Sequence, residues 1–301
     1  LYIMKILAFS DVVKWEGYEK LVDKIKPDVI CLAGDLTSDG FASFWSEAVE
    51  QIPAYQKELK KWGIKFIREK NFVFYQWIDN KKPRELRNNN ILNIVETVKR
   101  KYKNSKEFFE IRKRMHVDRF YQFLEFAGKK SKVLIVKGDH DEDFEGDYLP
   151  EKINKIAGCK EISGKVVEIN GFHFLGLGFN ETHYLRTLKP LIERFKGKVD
   201  IVVTHCEQNK MPLVSLLKPK IIIRGHFGSG KYLVNGIPSV FTMGVKYTVI
   251  ELERKRLSKI LQYSVDRNGK VKLLEKGSCR PWFSGVSEFE RCKWLKPYSE
   301  V

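Results

Sequence analysis

The chain has 301 residues, 43% of them hydrophobic, which is enough for one large domain or two modest ones and too apolar for wholesale disorder. Its net charge of +17 points to polyanionic partners such as nucleic acid, an anionic membrane surface or a phosphorylated substrate, or to a Lys- and Glu-rich solvated surface. No apolar run is long enough to span a bilayer.

Leu1 to Phe9 is apolar and stops at Ser10-Asp11. It lacks the basic start and small-residue cleavage site of a signal peptide and reads as a buried first strand, with Met4 a candidate natural start. Tyr18, Leu21, Val22 and Ile25 recur at helical spacing until Pro27 stops the helix. Val29 to Ala33 is apolar without alternation, as expected of a strand covered on both faces, and runs straight into Gly34-Asp35. Strand, helix and strand suggest a right-handed βαβ unit in a parallel sheet. Ligands collect at the carboxyl ends of such strands, so Asp11 and Asp35 are expected side by side although 24 positions apart.

Residues 41–131 differ in character. They hold 21 Lys and Arg against 11 Asp and Glu, with helical stretches expected near 44–61 and 91–127. They read as a mostly helical, basic insertion whose aromatics (Phe66, Phe72, Phe74, Tyr75 and Trp77) pack rather than stack on bases.

The core pattern returns at Val133 to Lys137, followed by Gly138-Asp139-His140-Asp141. Asn170-Gly171 and Asn235-Gly236 are each flanked by apolar runs and signal hairpins. Ile201 to Thr204 ends at His205, and Ile221 to Arg224 ends at Gly225-His226. Thr248–Leu252, Ile260–Val265 and Lys270–Leu274 complete a strand-rich second half. The chain thus divides into a main domain over 1–277, the insertion 41–131 within it, and a tail 278–301, where Trp282 and Trp294 are expected to anchor to the core. The five cysteines (Cys31, Cys159, Cys206, Cys279, Cys292) contain no C-x-x-C pair, and an odd, scattered set fits a reducing cytoplasm.

Five apolar strands therefore end in an acid, a histidine or both: Asp11, Asp35, Asp139-His140, His205 and His226. Carboxylates and imidazoles gathered at one sheet end suit a divalent transition metal, and Gly34, Gly138 and Gly225 let the backbone turn sharply after the strands.

In this the sequence resembles the calcineurin-like metallophosphoesterases, whose pattern is D-x-H, G-D, G-N-H-[ED], H and G-H-x-H, each after a strand. Here the corresponding segments read Asp11-Val12-Val13, Gly34-Asp35, Gly138-Asp139-His140-Asp141, His205 and Gly225-His226-Phe227-Gly228, over residues 4 to about 265. The resemblance implies an α/β (α+β) fold, a two-sheet β-sandwich flanked by helices with the helical insertion between the second and third motifs. It implies a site in which two metals, roughly 3.5–4 Å apart, clamp a phosphate and activate water. By resemblance Asp35 bridges them, and Asp35, Asp139, His205 and His226 complete the second site. His140 stabilises the transition state or protonates the leaving group, oriented by Asp141. Val13 and Gly228 stand where two histidines of the first site belong, leaving it Asp11 and Asp35, with Glu207, His183 and Asp39 as conceivable substitutes. One metal (Mn, Fe, Zn or Ni) is expected, and the second is doubtful.

Gly225 to Lys231 also fits G-x-x-x-x-G-K, but Tyr232 follows where a P-loop needs Ser or Thr, and the next segment reads as a hairpin rather than a helix. Lys231 remains a candidate phosphate contact. His173, His116 and His183 read as structural or surface histidines and Cys206 as a buried small residue. Two functions stay open. One is a metal-dependent phosphoesterase acting on a phosphomonoester, a nucleotide or a nucleic-acid end. The other is the same fold kept as a scaffold for a protein or nucleic-acid partner.

Overall fold

The computed structural model describes residues 3–12, 15, 17–37, 45–69, 72–78, 91–103, 105–142, 146–226, 230–242, 246–253, 256–265 and 271–273. The chain forms two compact units, one of residues 1–40 and 116–301 and the other of residues 41–115.

The first unit opens with β1 (Ile3–Phe9), α1 (Tyr18–Ile25) and β2 (Val29–Ala33). β1 and β2 pair in parallel, as their common burial demanded. The second unit holds α2 (Trp45–Glu50), α3 (Pro53–Lys61), the strands β3 (Ile64–Glu69) and β4 (Phe72–Trp77), α4 (Ile91–Tyr102) and α5 (Lys106–Arg112). β3 and β4 form an antiparallel hairpin, so the expected helical insertion contains a sheet where the aromatics cluster. The alternation Phe72, Phe74 and Gln76 against Val73, Tyr75 and Trp77 is aromatic on both faces, which hides the period of two that reveals a strand.

Back in the first unit come α6 (Asp118–Gly128), β5 (Lys132–Val136), α7 (Pro150–Lys155), β6 (Cys159–Glu161), β7 (Val166–Ile169), β8 (Phe172–Leu177), α8 (Phe179–His183), α9 (Leu185–Phe195), β9 (Ile201–Thr204), α10 (Met211–Val214) and β10 (Ile221–Arg224). The unit closes with β11 (Gly230–Val234), β12 (Ile237–Phe241), β13 (Lys246–Glu253), β14 (Arg256–Val265) and β15 (Val271–Leu273). The second unit ends at Met115, and α6, which the sequence pattern grouped with the insertion, packs in the first. Phe120, Phe123, Leu124 and Ala127 of α6 share a core with Phe9, Trp15 and Tyr18. The Trp15 and Phe123 rings stack at 4.7 Å.

Two sheets carry the first unit, in the orders β15-β14-β13-β1-β2-β5-β6 and β11-β12-β10-β9-β8-β7. Met4, Ile6, Ala8, Cys31, Ala33, Leu134 and Val136 of one sheet pack on Phe174, Ile201, Val203, Ile221 and Ile223 of the other. The opposite faces of the same strands, at Leu7, Phe9, Ile30, Leu32, Val133 and Ile135, lie under α1 and α6. Both faces of each central strand are thus buried, which is why their sequences show no alternation. The arrangement is a two-sheet sandwich flanked by helices. Asn170 and Gly171, at φ 51° and 77°, and Asn235 and Gly236, at 49° and 80°, make the two hairpin turns; both central residues are left-handed, as a tight turn matched to strand twist requires. Among the described residues no helix is long and apolar enough to cross a membrane.

Candidate metal centre

Topology decides which strand ends meet. β1, β2 and β5 are parallel neighbours in one sheet, and β8, β9 and β10 are parallel neighbours in the other. Their carboxyl ends carry Asp11, Asp35 and Asp139-His140 on one side and His205 and His226 on the other. The sheets are tied together there: His205, fully buried, sets Nδ1 2.6 Å from the carbonyl oxygen of Ala33. Donation of Nδ1–H to that carbonyl turns Nε2 toward the carboxylates, where it shares a proton with Asp139 or, once that proton is released, offers a lone pair to a cation.

Around Nε2 the distances are short. Asp139 Oδ1 lies 2.9 Å from His205 Nε2 and 3.2 Å from His226 Nδ1, and the two imidazole nitrogens are 3.2 Å apart. Asp35 Oδ2 is 3.4 Å from His205 Nε2. Three overlapping groups have ligand atoms within 4.8 Å of one another: Asp139-His205-His226, Asp11-Asp35-His205 and Asp35-Asp139-His140. All six metal-centre residues expected from the sequence (Asp11, Asp35, Asp139, His140, His205 and His226) are therefore brought together. Side-chain exposure rises from 0% at His205 through 10% at His226 to 21% at Asp139 and 32% at His140, so the centre opens to solvent on the His140 side.

Asp141 serves the backbone of this loop system. Its Oδ2 accepts the N–H of Asp35 (2.9 Å) and of Gly138 (2.9 Å), and its Oδ1 accepts the N–H of Leu36 (2.7 Å) and of Thr37 (2.9 Å) and the Thr37 hydroxyl (3.0 Å). Asp35 returns the tie, accepting the His140 N–H at 3.0 Å. This clamp matters at Asp35, whose φ of 55°, like those of Asp11 (50°) and His226 (78°), is a left-handed backbone that costs roughly 1–2 kcal/mol per non-glycine residue. Gly34, at φ 86°, has no room for a side chain: a Cβ there would sit 2.4 Å from His205 Nδ1. At Gly225 the constraint is close approach alone, a Cβ meeting the Ala33 carbonyl oxygen at 2.0 Å.

Electrostatics follow from burial and sign. Burial pushes the Asp11 carboxyl well up, reinforced by Asp35 and opposed by His205. Burial and the charge of Asp35 likewise raise Asp141, against its N–H donors. Burial also disfavours charge on His205 and on Asp139. There the partners win: Asp35, Asp139 and Asp11 raise His205 well above an ordinary imidazole, and hydrogen bonds from His205 and His226 hold Asp139 well below the usual carboxylate range. The set fits a divalent cation by its chemistry. Among the described residues, Asp11, Asp35 and Asp139 crowd a largely buried space with imidazoles for counter-charge, and an uncompensated buried carboxylate is costly. Donor separations of 2.9–3.4 Å are close to the roughly 3.4 Å that ligand atoms keep around a cation bound at about 2.1 Å.

Other expected residues stand elsewhere or out of view. Val13, Asp39 and Gly228 lie outside the described residues, as do the Lys231 side chain, Cys279, Cys292 and the tail with Trp282 and Trp294. Lys231 itself is in β11, opposite Val240 of β12, so the glycine-rich segment leads into a strand and is no P-loop. His183 packs on Phe179 at 4.7 Å rather than among the ligand groups. Cys31, Cys159 and Cys206 are buried free thiols. The sequence reading missed Ser10 and Thr242. The Ser10 hydroxyl donates to Asp11 Oδ2 at 2.5 Å, is bonded to the Thr242 carbonyl, and lies 3.2 Å from the Thr242 hydroxyl. Ser10 adjoins a ligand and was there to be suspected, whereas Thr242 is 231 positions from Asp11 and gives no local signal.

No family model matches the chain, and no curated protein matches it. Solved structures do. One crystal structure aligns along 100% of its own length with 91% of this chain, at 14% identity and a TM-score of 0.50. The protein TT1561 of Thermus thermophilus aligns over 85% of this chain and 98% of its own, at 13% identity and a TM-score of 0.44. A conserved uncharacterized protein, a predicted phosphoesterase, from Streptococcus pneumoniae TIGR4 covers 91% and 98%, at 11% identity and 0.34. At these identities the likeness speaks to the fold alone. The chain shares an α/β fold with the first of these, a two-sheet sandwich flanked by helices.

Proposed function

We propose that this protein is a metal-dependent phosphoesterase that holds one divalent metal firmly. The observation that supports this most is the convergence of Asp139 Oδ1, His205 Nε2 and His226 Nδ1 within 3.2 Å of one another, with Asp35 beside them. Asp35, Asp139, His205 and His226 would hold a manganese, iron, zinc or nickel ion. Bound there, the ion would supply Lewis-acid polarisation of a phosphate oxygen and a more acidic water.

The chain's own residues do the rest. The Ala33 carbonyl fixes the His205 tautomer, and Asp141 fixes the loops that carry Asp35 and Gly138. His140, whose side chain is 32% exposed, serves as the proton donor to the leaving oxygen of an entering ester. Asp139, where the family pattern has Asn, adds negative charge, which tightens cation binding and makes a bound water less acidic. The substrate is a phosphomonoester or phosphodiester, with nucleic acid as a partner of the basic second unit. The buried thiols fit a reducing cytoplasm.

Val13 and Gly228 favour a second reading, a scaffold that binds metal weakly and does not hydrolyse esters. One experiment separates the two: metal content after purification, with hydrolysis of an aryl phosphate mono- and diester in manganese, nickel, zinc or iron. One equivalent with turnover supports the phosphoesterase. No metal and no turnover supports the scaffold.

A further inference from the structure

Within the second unit, α3 and α4 end beside each other and leave a shallow groove of about 390 Å3 lined by Glu58, Lys61, Trp62 and Lys101. Trp62 is 42% exposed, although its neighbours Tyr55, Leu59 and Ile64 are all buried at 1% or less. The unit's core therefore forms without the indole. Lys61 stands next to it in sequence and Lys57 one helical turn earlier; both are exposed. Across the groove Lys101 Nζ is held 2.7 Å from Glu58 Oε2 and remains 63% exposed. Glu58, the acid among the groove's described residues, is engaged: it accepts from both Lys101 and the Tyr102 hydroxyl (2.6 Å). Their hydrogen bonds hold its carboxyl below the usual range, so it stays a fixed, compensated anion. Residues 41–115 carry 18 Lys and Arg against 9 Asp and Glu, more than half of the chain's +17.

We propose that this groove is a binding site for single-stranded nucleic acid, in which a base stacks on Trp62 while Lys61 and Lys101 contact the flanking phosphates. The proposal rests on the nucleic-acid reading above and gives it residues. A ring face bordered by cations suits a strand whose bases are free to splay, because a paired base hides its face in the duplex. Backbone contacts through two lysines make the affinity salt-dependent, and stacking makes it tolerant of sequence.

The test is fluorescence anisotropy of a dye-labelled oligothymidylate of about 12 nucleotides, within the site size of such platforms. The full chain is titrated with chelator present, so that hydrolysis plays no part. Binding is expected to weaken roughly ten-fold or more in Trp62→Ala, and far less in Trp62→Phe. Lys61→Ala and Lys101→Ala should each flatten the log–log salt dependence by about 0.7. Unfolding temperatures of the variants, measured beside the titrations, separate loss of the groove from loss of the fold. If the wild-type chain shows no salt-dependent binding, the nucleic-acid reading fails as a whole. Wild-type binding that Trp62→Ala leaves unchanged, or tighter binding of a duplex of equal length, overturns the groove while sparing that reading.

Discussion

Asp35 and Asp141 are joined through the backbone rather than by opposite charge: the Asp141 carboxylate accepts the Asp35 N–H at 2.9 Å. Two buried acids are thereby held close although each repels the other, because the N–H groups of Gly138, Asp35, Leu36 and Thr37 all point at Asp141. Hydrogen bonds to a charged group contribute about 1.5–3 kcal/mol each, and buried donors left unmet cost about 1–3 kcal/mol. Asp141→Asn keeps the shape but turns an amide N–H toward these donors. It should destabilise the chain by about 2–4 kcal/mol in urea unfolding; a change under about 0.5 kcal/mol would show that the clamp is not structural.

The metal ligands should not be equivalent. Asp139, His205 and His226 share one cluster, whereas Asp11 stands with Asp35 and His205 in another. His205→Ala, His226→Ala and Asp35→Ala should each abolish ester hydrolysis and remove the bound equivalent, while Asp11→Ala should leave metal content near one. Metal analysis of the purified variants decides this, and two equivalents in the wild-type chain would contradict the assignment of a single firm site.

By the resemblance to the calcineurin-like pattern, Val13 and Gly228 stand where the first site would have its histidines. If their identity is what limits that site, Val13→His combined with Gly228→His should raise metal content toward two equivalents and increase turnover with an aryl diester. Unchanged stoichiometry in a folded double variant would mean that something other than these two side chains limits the site.

A pH effect is expected far from the centre. Asp200 accepts the His173 N–H at 2.9 Å and is bonded to Lys220, and despite burial these partners lower its carboxyl pKa. A depressed folded value means stability present above the unfolded value of about 3.9 and lost as pH falls through the folded one. Asp200→Asn should thus cost about 1–3 kcal/mol at neutral pH and progressively less below pH about 4. Denaturant midpoints across that range would read it, and a penalty that stayed constant with pH would refute the linkage.

The sequence by itself determined which residues the fold gathers at the carboxyl ends of its strands. Each of them follows an apolar strand that carries its own signal, so Asp11, Asp35, Asp139, His140, His205 and His226 could be named from pattern alone. Hairpin turns at Asn170-Gly171 and Asn235-Gly236 were legible for the same reason: the chemistry that specifies them is local. What only the tertiary structure decided is contact across distance. The Ala33 carbonyl that orients His205, the clamp of Asp141 on Asp35 and the Thr242 bond to Ser10 each join segments more than a hundred residues apart. The return of α6 to the first unit belongs here too, because its apolar face would suit either unit and only the packing of Phe123 on Trp15 chooses between them. Side-chain type and periodicity are written along the chain, whereas hydrogen bonds to a backbone carbonyl or N–H can be made by almost any residue and so leave no mark in the sequence.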